Sequence, residues 1–375
     1  MTINKKKQIV VVMRGPSAVL FRQEKTLTIR DFQSTIGPVN IIYSTRWLKR
    51  PNEIVVPGHI WIEITGDAVA LEEALVPFAN AGLSMLPILS LCTNAAIGEP
   101  QIEIGFDNTE GASDRDYFQC YVAPESNEIY IGRHINIEST VSFIELISKH
   151  PDSERLRRAI NQYRLSLDHW RLGRETMSMA HLWMALEALT KAKIRQEMNK
   201  KGIATQDELA KNFGIELKKL DSYIRKDILL NGDAECYKNA KKASDGFEHG
   251  FLGFDKIIEL SKDVRSRMAN HIRTAIFEIC GLEKEALKIL TNEPFDKPIG
   301  HWPVVKYLRG KLIGDGNKLS KNENAYPFMK WKPSVKSTNI TDDGKFNITI
   351  SDTFTAELAE GIKFQPSSVE AWQAG

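Results

Sequence analysis

Ionisable side chains gather at one place in this chain, residues 235–254, which read ECYKNAKKASDGFEHGFLGF. His249-Gly250 is its centre. Stretches on either side carry apolar residues at helical spacing, so the histidine is expected at the mouth of a helix and in reach of solvent. An imidazole is the side chain most often used for general acid–base work, so that chemistry is the one to expect there. Two other histidines invite less chemistry. His181 shares a helical face with Met177 and Met184 and reads as a hydrogen-bonded core residue. Arg265 and His271 fall about 120° apart around a continuous helix, so their spacing is a coincidence.

The elements that position His249 follow from periodicity. Between residues 8 and 66, β-branched runs (8–13, 39–43, 54–65) alternate with Gly and Pro, which predicts strands. Asp67 is expected to cap a helical segment through Leu71, Leu75 and Phe78, split in two by Pro77 and Pro87. Residues 101–107 and 117–122 read as two more strands. His150-Pro151 interrupts the pattern, and Asp152 or Ser153 can open the next helix. That helix buries Leu156, Ile160, Tyr163, Leu167 and Trp170 and turns Arg157, Asn161, Arg164 and Arg171 to another face. A second helix spans 174–198, with Glu187 and Lys191 placed to pair at i,i+4. Shorter helices follow over 205–225 and 234–243, and a long one runs from 254 to 280, ended by Gly281. Residues 335–340 and 345–351 flank Asp342-Asp343-Gly344 as a hairpin. The expected fold class is multi-domain α+β: an α+β domain over 1–150, an all-helical bundle over 151–285, and a small β-rich appendage containing a hairpin over 286–375.

Composition narrows the function classes. With 375 residues, 42% hydrophobic and 26% charged, the chain has ordinary globular composition. A formal charge of +2 gives no global case for nucleic acid or membrane. Residues 191–242 hold thirteen Lys or Arg against eight Asp or Glu, a local excess that could attract phosphates or be a solvated face. Four cysteines, widely spaced and without a CxxC pair, read as reduced thiols and point to the cytoplasm. The apolar run after Lys5-Lys6-Lys7 is too short for a signal or a membrane span. No spacing of metal ligands and no phosphate loop occurs, so neither metal nor cofactor is expected.

Three features in order, Ala185-Leu186-Glu187-Ala188-Leu189, the 225–233 approach beginning with Arg225, and His249-Gly250 before a long last helix, make residues 155–282 resemble the ApeA-like branch of the HEPN superfamily. The resemblance implies a four- or five-helix bundle that forms homodimers. It also implies a metal-independent endoribonuclease with an Arg-x4–6-His motif, in a prokaryotic toxin or antiviral-defence setting. In that chemistry histidine moves the proton of a 2′-hydroxyl or of the leaving oxygen, and a guanidinium neutralises the phosphoryl oxygens. The motif histidine maps onto His249. Where its arginine would stand, this chain has Lys242, Ala243 and Ser244, and Ser244-Asp245 replaces the frequent Arg-Asn, which puts the acidic Asp245 near the phosphate. Lys242, Arg225 folding back, or Arg265 and Arg267 from a neighbouring helix or dimer mate could supply the cation. An arginine installed at 244 is expected to restore it.

Two alternatives stand beside the ribonuclease. One is a non-catalytic module that binds RNA or a protein partner, with Trp302, Trp331 and Trp372 in the tail as a contact surface. The other is a DNA-binding helix-turn-helix, TQDELAKNFG at 205–214 followed by a reading helix over 216–226 with Lys218, Lys219, Arg225 and Lys226 towards phosphates.

Overall fold

Period-two runs of β-branched residues build the first layer. β1 (Lys7–Pro16), β2 (Val19–Leu20), β3 (Leu27–Ser34), β4 (Gly37–Lys49) and β5 (Val55–Ala68) precede two helices, α1 (Leu71–Leu83) and α2 (Leu86–Thr93). β6 (Gln101–Asp107), β7 (Tyr117–Gln119) and β8 (Arg133–His134) follow. The structure is a computed structural model and describes residues 6–49, 55–120, 132–301, 304–314, 319, 328–340 and 346–373. The expected strand residues 54, 121 and 122 lie outside these.

Six strands form one antiparallel sheet in the order β3-β4-β5-β1-β6-β7, and β2 pairs with β8 in parallel. In β5, Ile60, Ile62 and Ile64 are fully buried while Trp61 and Glu63 between them are half-buried, the alternation of a sheet with one covered face. α1 and α2 cover it. Gly82 of α1 packs directly on Ile62 and Ile64, where an added Cβ would come within 3.1 Å, and its carbonyl accepts a 2.8 Å hydrogen bond from the buried Tyr43 hydroxyl.

Residues Leu71–Thr93 are long and apolar enough to pass for a membrane span, with a mean hydropathy of 1.7. They are two core helices. α1 stops at Ser84, Pro87 sits in the first turn of α2, and most of the stretch is buried against sheet and bundle. The expected split into two helices is present, but it falls only before Pro87; Pro77 lies inside α1, and the capping is different too. Asp67 remains in β5, and α1 starts after Ala70 with no side-chain cap.

Helices make the rest of the core: α3 (Ile137–Lys149), α4 (Ser153–Asp168), α5 (Glu175–Lys201), α6 (Gln206–Asn212), a 3-10 turn (Leu217–Lys219), α7 (Leu220–Tyr223), a π-helix (Ile224–Leu229), α8 (Ala234–His249), α9 (Phe254–Ile279) and α10 (Lys284–Thr291). The expected stripe of α4 is buried throughout, as are Ile257, Leu260, Val264, Met268, Ile272 and Ile279 of α9. β3, α3 and α10 were not anticipated. β9 (Val304–Ile313), β10 (Phe328–Ile340), β11 (Phe346–Glu357) and β12 (Lys363–Gln373) follow. β10 and β11 pair antiparallel in the expected hairpin, whose turn over 341–345 lies outside the described residues, and β9 pairs with β12. The fold is thus α+β: an antiparallel sheet, then helices, then small C-terminal strands.

The break at His150-Pro151 separates α3 from α4 by three residues. Asp152 there is buried, ion-paired to Arg195 of α5 and 3.9 Å from Arg155, and its N–H donates to His150 Nδ1 at 3.0 Å. One continuous cluster of buried side chains runs from Ile9 and Ile64 of the sheet through Leu89 and Leu91 of α2 to Tyr163, Leu186 and Ile276.

At the centre of that cluster, Arg273 of α9 is 2% exposed. Its guanidinium donates to the carbonyls of Leu91 at 2.6 Å, Cys92 at 2.9 Å and Phe295 at 3.1 Å. Arg133 of β8 adds a bond to Asn94 O at 3.2 Å, and the Tyr163 hydroxyl of α4 donates to Asn94 Oδ1 at 2.7 Å. Burial pushes the Arg133 guanidinium down to about 10 and the Tyr163 phenol up to about 12. Replacing Arg273 by Ala removes three buried charge-assisted bonds and leaves the Leu91 and Phe295 carbonyls to Asn94 alone, so unfolding stability is expected to fall by about 3–5 kcal/mol in denaturant titration. Arg273→Lys should recover only part of the loss, because an ammonium cannot reach three acceptors as the planar fork does.

His134 of β8 is also buried, stacked on Trp47 with ring centroids 6.2 Å apart, and burial lowers its imidazole to about 4 from the usual 6.5. Its folded value lies below its unfolded one, so the unfolded chain takes up the proton first and stability is lost as pH falls from about 6.5 towards 4. Denaturation midpoints of wild type should therefore drop more between pH 7.5 and pH 5 than those of His134→Phe.

Candidate functional site

His249 is held at the end of the last helical hairpin. α8 opens on Asp233, whose Oδ1 accepts from the Cys236 N–H at 3.1 Å. It closes at Gly250, in the left-handed conformation at φ 68° that glycine adopts without strain, with the Gly250 N–H on Gly246 O at 3.0 Å. Leu252 folds back on Gly246, where a Cβ would meet its side chain at 2.7 Å, so the chain reverses tightly before α9 starts at Phe254. His249 is the last residue of α8 and exposed; α8 runs six residues beyond the expected 243. Phe247, Phe251 and Phe254, all within five residues of it in sequence, are 44%, 59% and 62% exposed.

Lys242, Asp245 and His249 follow one another at spacings of three and four and so share a face of α8, spanning about 10 Å. Lys242 is exposed and has no ion pair among the described residues. Asp245 is tied to Lys241 at 2.5 Å, which offsets its charge and holds the Lys241 ammonium above its usual range. The acid that would repel an anion at His249 is thus neutralised within its own helix.

Arg225 is not brought to His249. From the π-helix its Nε donates to Thr190 Oγ1 at 3.0 Å, its Nη1 lies 3.3 Å from Glu187, and its guanidinium sits 5.7 Å over the Trp183 ring. Tyr237, near the start of α8, packs on the same tryptophan at 6.0 Å. Twelve residues of helix, about 18 Å, separate Tyr237 from His249. The other arginines are engaged as well. Arg265 lies 4.6 Å over Trp170, and Arg267 clamps Asp233 and Glu235 at the opposite end of α8, with His271 3.4 Å from Asp233. Within one chain, His249 therefore has Lys242 on its face, and Arg225, Arg265 and Arg267 are each committed elsewhere.

Several sequence expectations change here. Glu187 pairs with Arg225, and Lys191 with Asp221 at 2.9 Å, so the two do not pair with each other. Residues 216–226 do not form one reading helix. A 3-10 turn, α7 and a π-helix replace it, Arg225 turns inward, and Lys218 and Lys219 pair with Glu216 at 2.8 and 3.3 Å. The preceding segment is a capped helix, with Thr205 and Glu208 bonding reciprocally. His181 is half-buried, its Nδ1 2.8 Å from Gln162 Oε1 and its ring stacked on His169 at 5.5 Å. The side chains of Trp302, Trp331 and Trp372 lie outside the described residues.

Elsewhere, perturbed groups gather without an opening. Burial pushes the Asp168 carboxyl up to about 6 and the His301 imidazole down to about 4, with Nδ1 and Oδ1 3.9 Å apart. Among the described residues, clefts open on the surface, two of which are well defined. One, of about 620 Å³, lies among His150, Lys193, Glu197 and Glu278; the other, of about 310 Å³, lies between α2 and α4; neither includes Asp168, His301 or His249. All four cysteines are free. Among the described residues, no three His, Cys, Asp or Glu side chains come together as a metal set. The chain matches no protein-family model, no curated protein and no solved structure.

Ser244, where the motif arginine would stand, is 4% exposed, and its hydroxyl donates to Glu248 Oε1 at 3.0 Å. An arginine there would enter the bundle interior. The expected gain from Ser244→Arg is therefore replaced by a loss. Overpacking should lower unfolding stability by about 1–3 kcal/mol, read as a drop in thermal midpoint, with no new RNA cleavage.

Proposed function

We propose that this protein is a HEPN-type, RNA-acting protein of the cytoplasm that works as a homodimer and takes single-stranded RNA on the turn between α8 and α9. One observation carries the reading: an exposed imidazole with three exposed phenylalanines within five residues of it in sequence, and on its helix face a lysine with no ion pair among the described residues. Bases stack on aromatic faces whatever their sequence, and a cation beside them meets the backbone phosphate. The toxin or antiviral-defence setting rests on the resemblance of residues 155–282 to the ApeA-like branch.

Binding is the primary activity in this reading. Cleavage is its stronger form. His249 would move the proton of the attacking 2′-hydroxyl, while Lys242 supplies a point charge without the bidentate fork of a guanidinium. An arginine would have to come from the second copy across a two-fold axis. Because Arg225 is committed to Thr190 and Glu187, its removal should act on folding more than on RNA.

Fluorescence anisotropy with a labelled single-stranded RNA, in EDTA, tests this. Wild type should bind, and the double variant Phe251→Ala/Phe254→Ala should bind at least tenfold more weakly, since a stacked base is worth about 1–3 kcal/mol. If cleavage products accumulate, His249→Ala should reduce their rate by about 10²–10⁴-fold with the fold intact. RNA binding that ignores both phenylalanines and His249 contradicts the proposal and leaves the turn as a surface for a protein partner.

A further inference from the structure

A different part of the molecule carries a second site. Where α1 and α2 meet α4, the cleft of about 310 Å³ has an apolar floor: Ile88 is 2% exposed, Ile160 is fully buried, and Leu83 forms a half-buried wall. Asn80 of α1 and Asn161 of α4 stand on its rim, each an exposed side-chain amide with two donors and an acceptor. Arg157 of α4 completes the lining.

Arg157 is the unusual member. It is half-buried, yet it makes no hydrogen bond or ion pair with any described residue. On the same helix Arg155 lies 3.9 Å from Asp152, and Arg164 lies 3.3 Å from Asp168. No carboxylate lines the cleft, so its lining carries one uncompensated positive charge. A partly desolvated guanidinium beside an apolar floor has lost water contacts without gaining an anion, and its planar fork matches a carboxylate or phosphate with two parallel hydrogen bonds. A volume near 300 Å³ is at the small end for ligand sites, room for one ring and an acidic group.

We propose that this cleft is a binding site for a small organic anion consisting of a planar ring bearing a carboxylate or phosphate. The acid group lies on Arg157, the ring against Leu83 and Pro87 with Ile88 and Ile160 beneath them, and ring substituents meet the amides of Asn80 and Asn161. This site is independent of the α8–α9 turn and of the RNA reading. Its position gives it a consequence, because the ligand touches the helices covering the sheet and the first helix of the bundle together, so binding stabilises the junction between them.

Isothermal titration calorimetry on the full chain tests this with three probes: benzoate, phenyl phosphate and inorganic phosphate. At least one ring acid should bind, and phenyl phosphate at least tenfold more tightly than inorganic phosphate, which has no ring to place on the floor. Arg157→Ala should weaken the ring acids at least tenfold, Arg157→Lys less, and Asn161→Trp should fill the cleft and abolish binding, with thermal midpoints confirming that each variant is folded. Three results overturn the proposal: no heat from either ring acid at millimolar concentration, unchanged affinity in Arg157→Ala, or inorganic phosphate binding as well as phenyl phosphate.

Discussion

A buried guanidinium at the end of an eight-residue helix fixes the layout of this protein. The last carbonyls of any helix lack intrahelical partners, and those of α2 face the interior, away from water. Arg273 satisfies Leu91 and Cys92 from α9, some 180 residues away in sequence, and Phe295 besides. Asn94, in the left-handed conformation, turns its side chain to Tyr163 and Phe295. Helices α2, α4 and α9, strand β8 and the segment at 295 therefore converge on one set of polar bonds inside an apolar core. Neither Arg133 nor Arg273 bonds a carboxylate among the described residues. The negative end of the α2 dipole and its carbonyls take that place, with the Asp296 charge nearby.

That constraint also explains where function is free to sit. α9 is anchored near its C-terminal end, and Phe254 at its start lies nineteen residues before Arg273, about 28 Å along the helix. The hairpin of α8 and α9 is thus rooted at one end and presents its turn at the other, where aromatic side chains are exposed and Gly250 and Leu252 define the reversal. Side chains near the root are committed: Arg267 to Asp233 and Glu235, Arg265 to Trp170, Arg225 to Thr190 and Glu187. Side chains at the turn are not. His249 and Lys242 stay in solvent, available to an anion but without the guanidinium that would make a strong phosphoryl site in a single chain.

The sequence made the helical half legible wherever burial was one-sided. The stripe from Leu156 to Leu167 and that from Ile257 to Ile279 could be read at helical spacing because each helix has one covered face, and Gly281 marked a helix end. β3 is hard to read because it is an edge strand with little buried beyond Leu27, and α3 because the β-branched Ile135 and Ile137 on either side of its capping Asn136 read as strand. At the candidate site, the exposed histidine was legible and the company of the arginines was not. Arg225, Arg265 and Arg267 look alike on paper, and only tertiary packing assigns them to a threonine and a tryptophan, to another tryptophan, and to an acidic helix start. Arg273 was invisible for the same reason, one charged residue within an amphipathic helix whose partners are main-chain carbonyls far off in sequence.

Native-state hydrogen exchange tests the central role of the buried cap most directly, because it reads the opening free energy of each element separately. Sheet and bundle share one core joined through Arg273, so the slowest amides of β1 and β5 and those of α5 and α9 should exchange through the same global opening, with the same free energy and the same denaturant dependence. Slow amides in the sheet and in the bundle that open with clearly different free energies, each with its own denaturant slope, would contradict the account and make the two halves separate folding units.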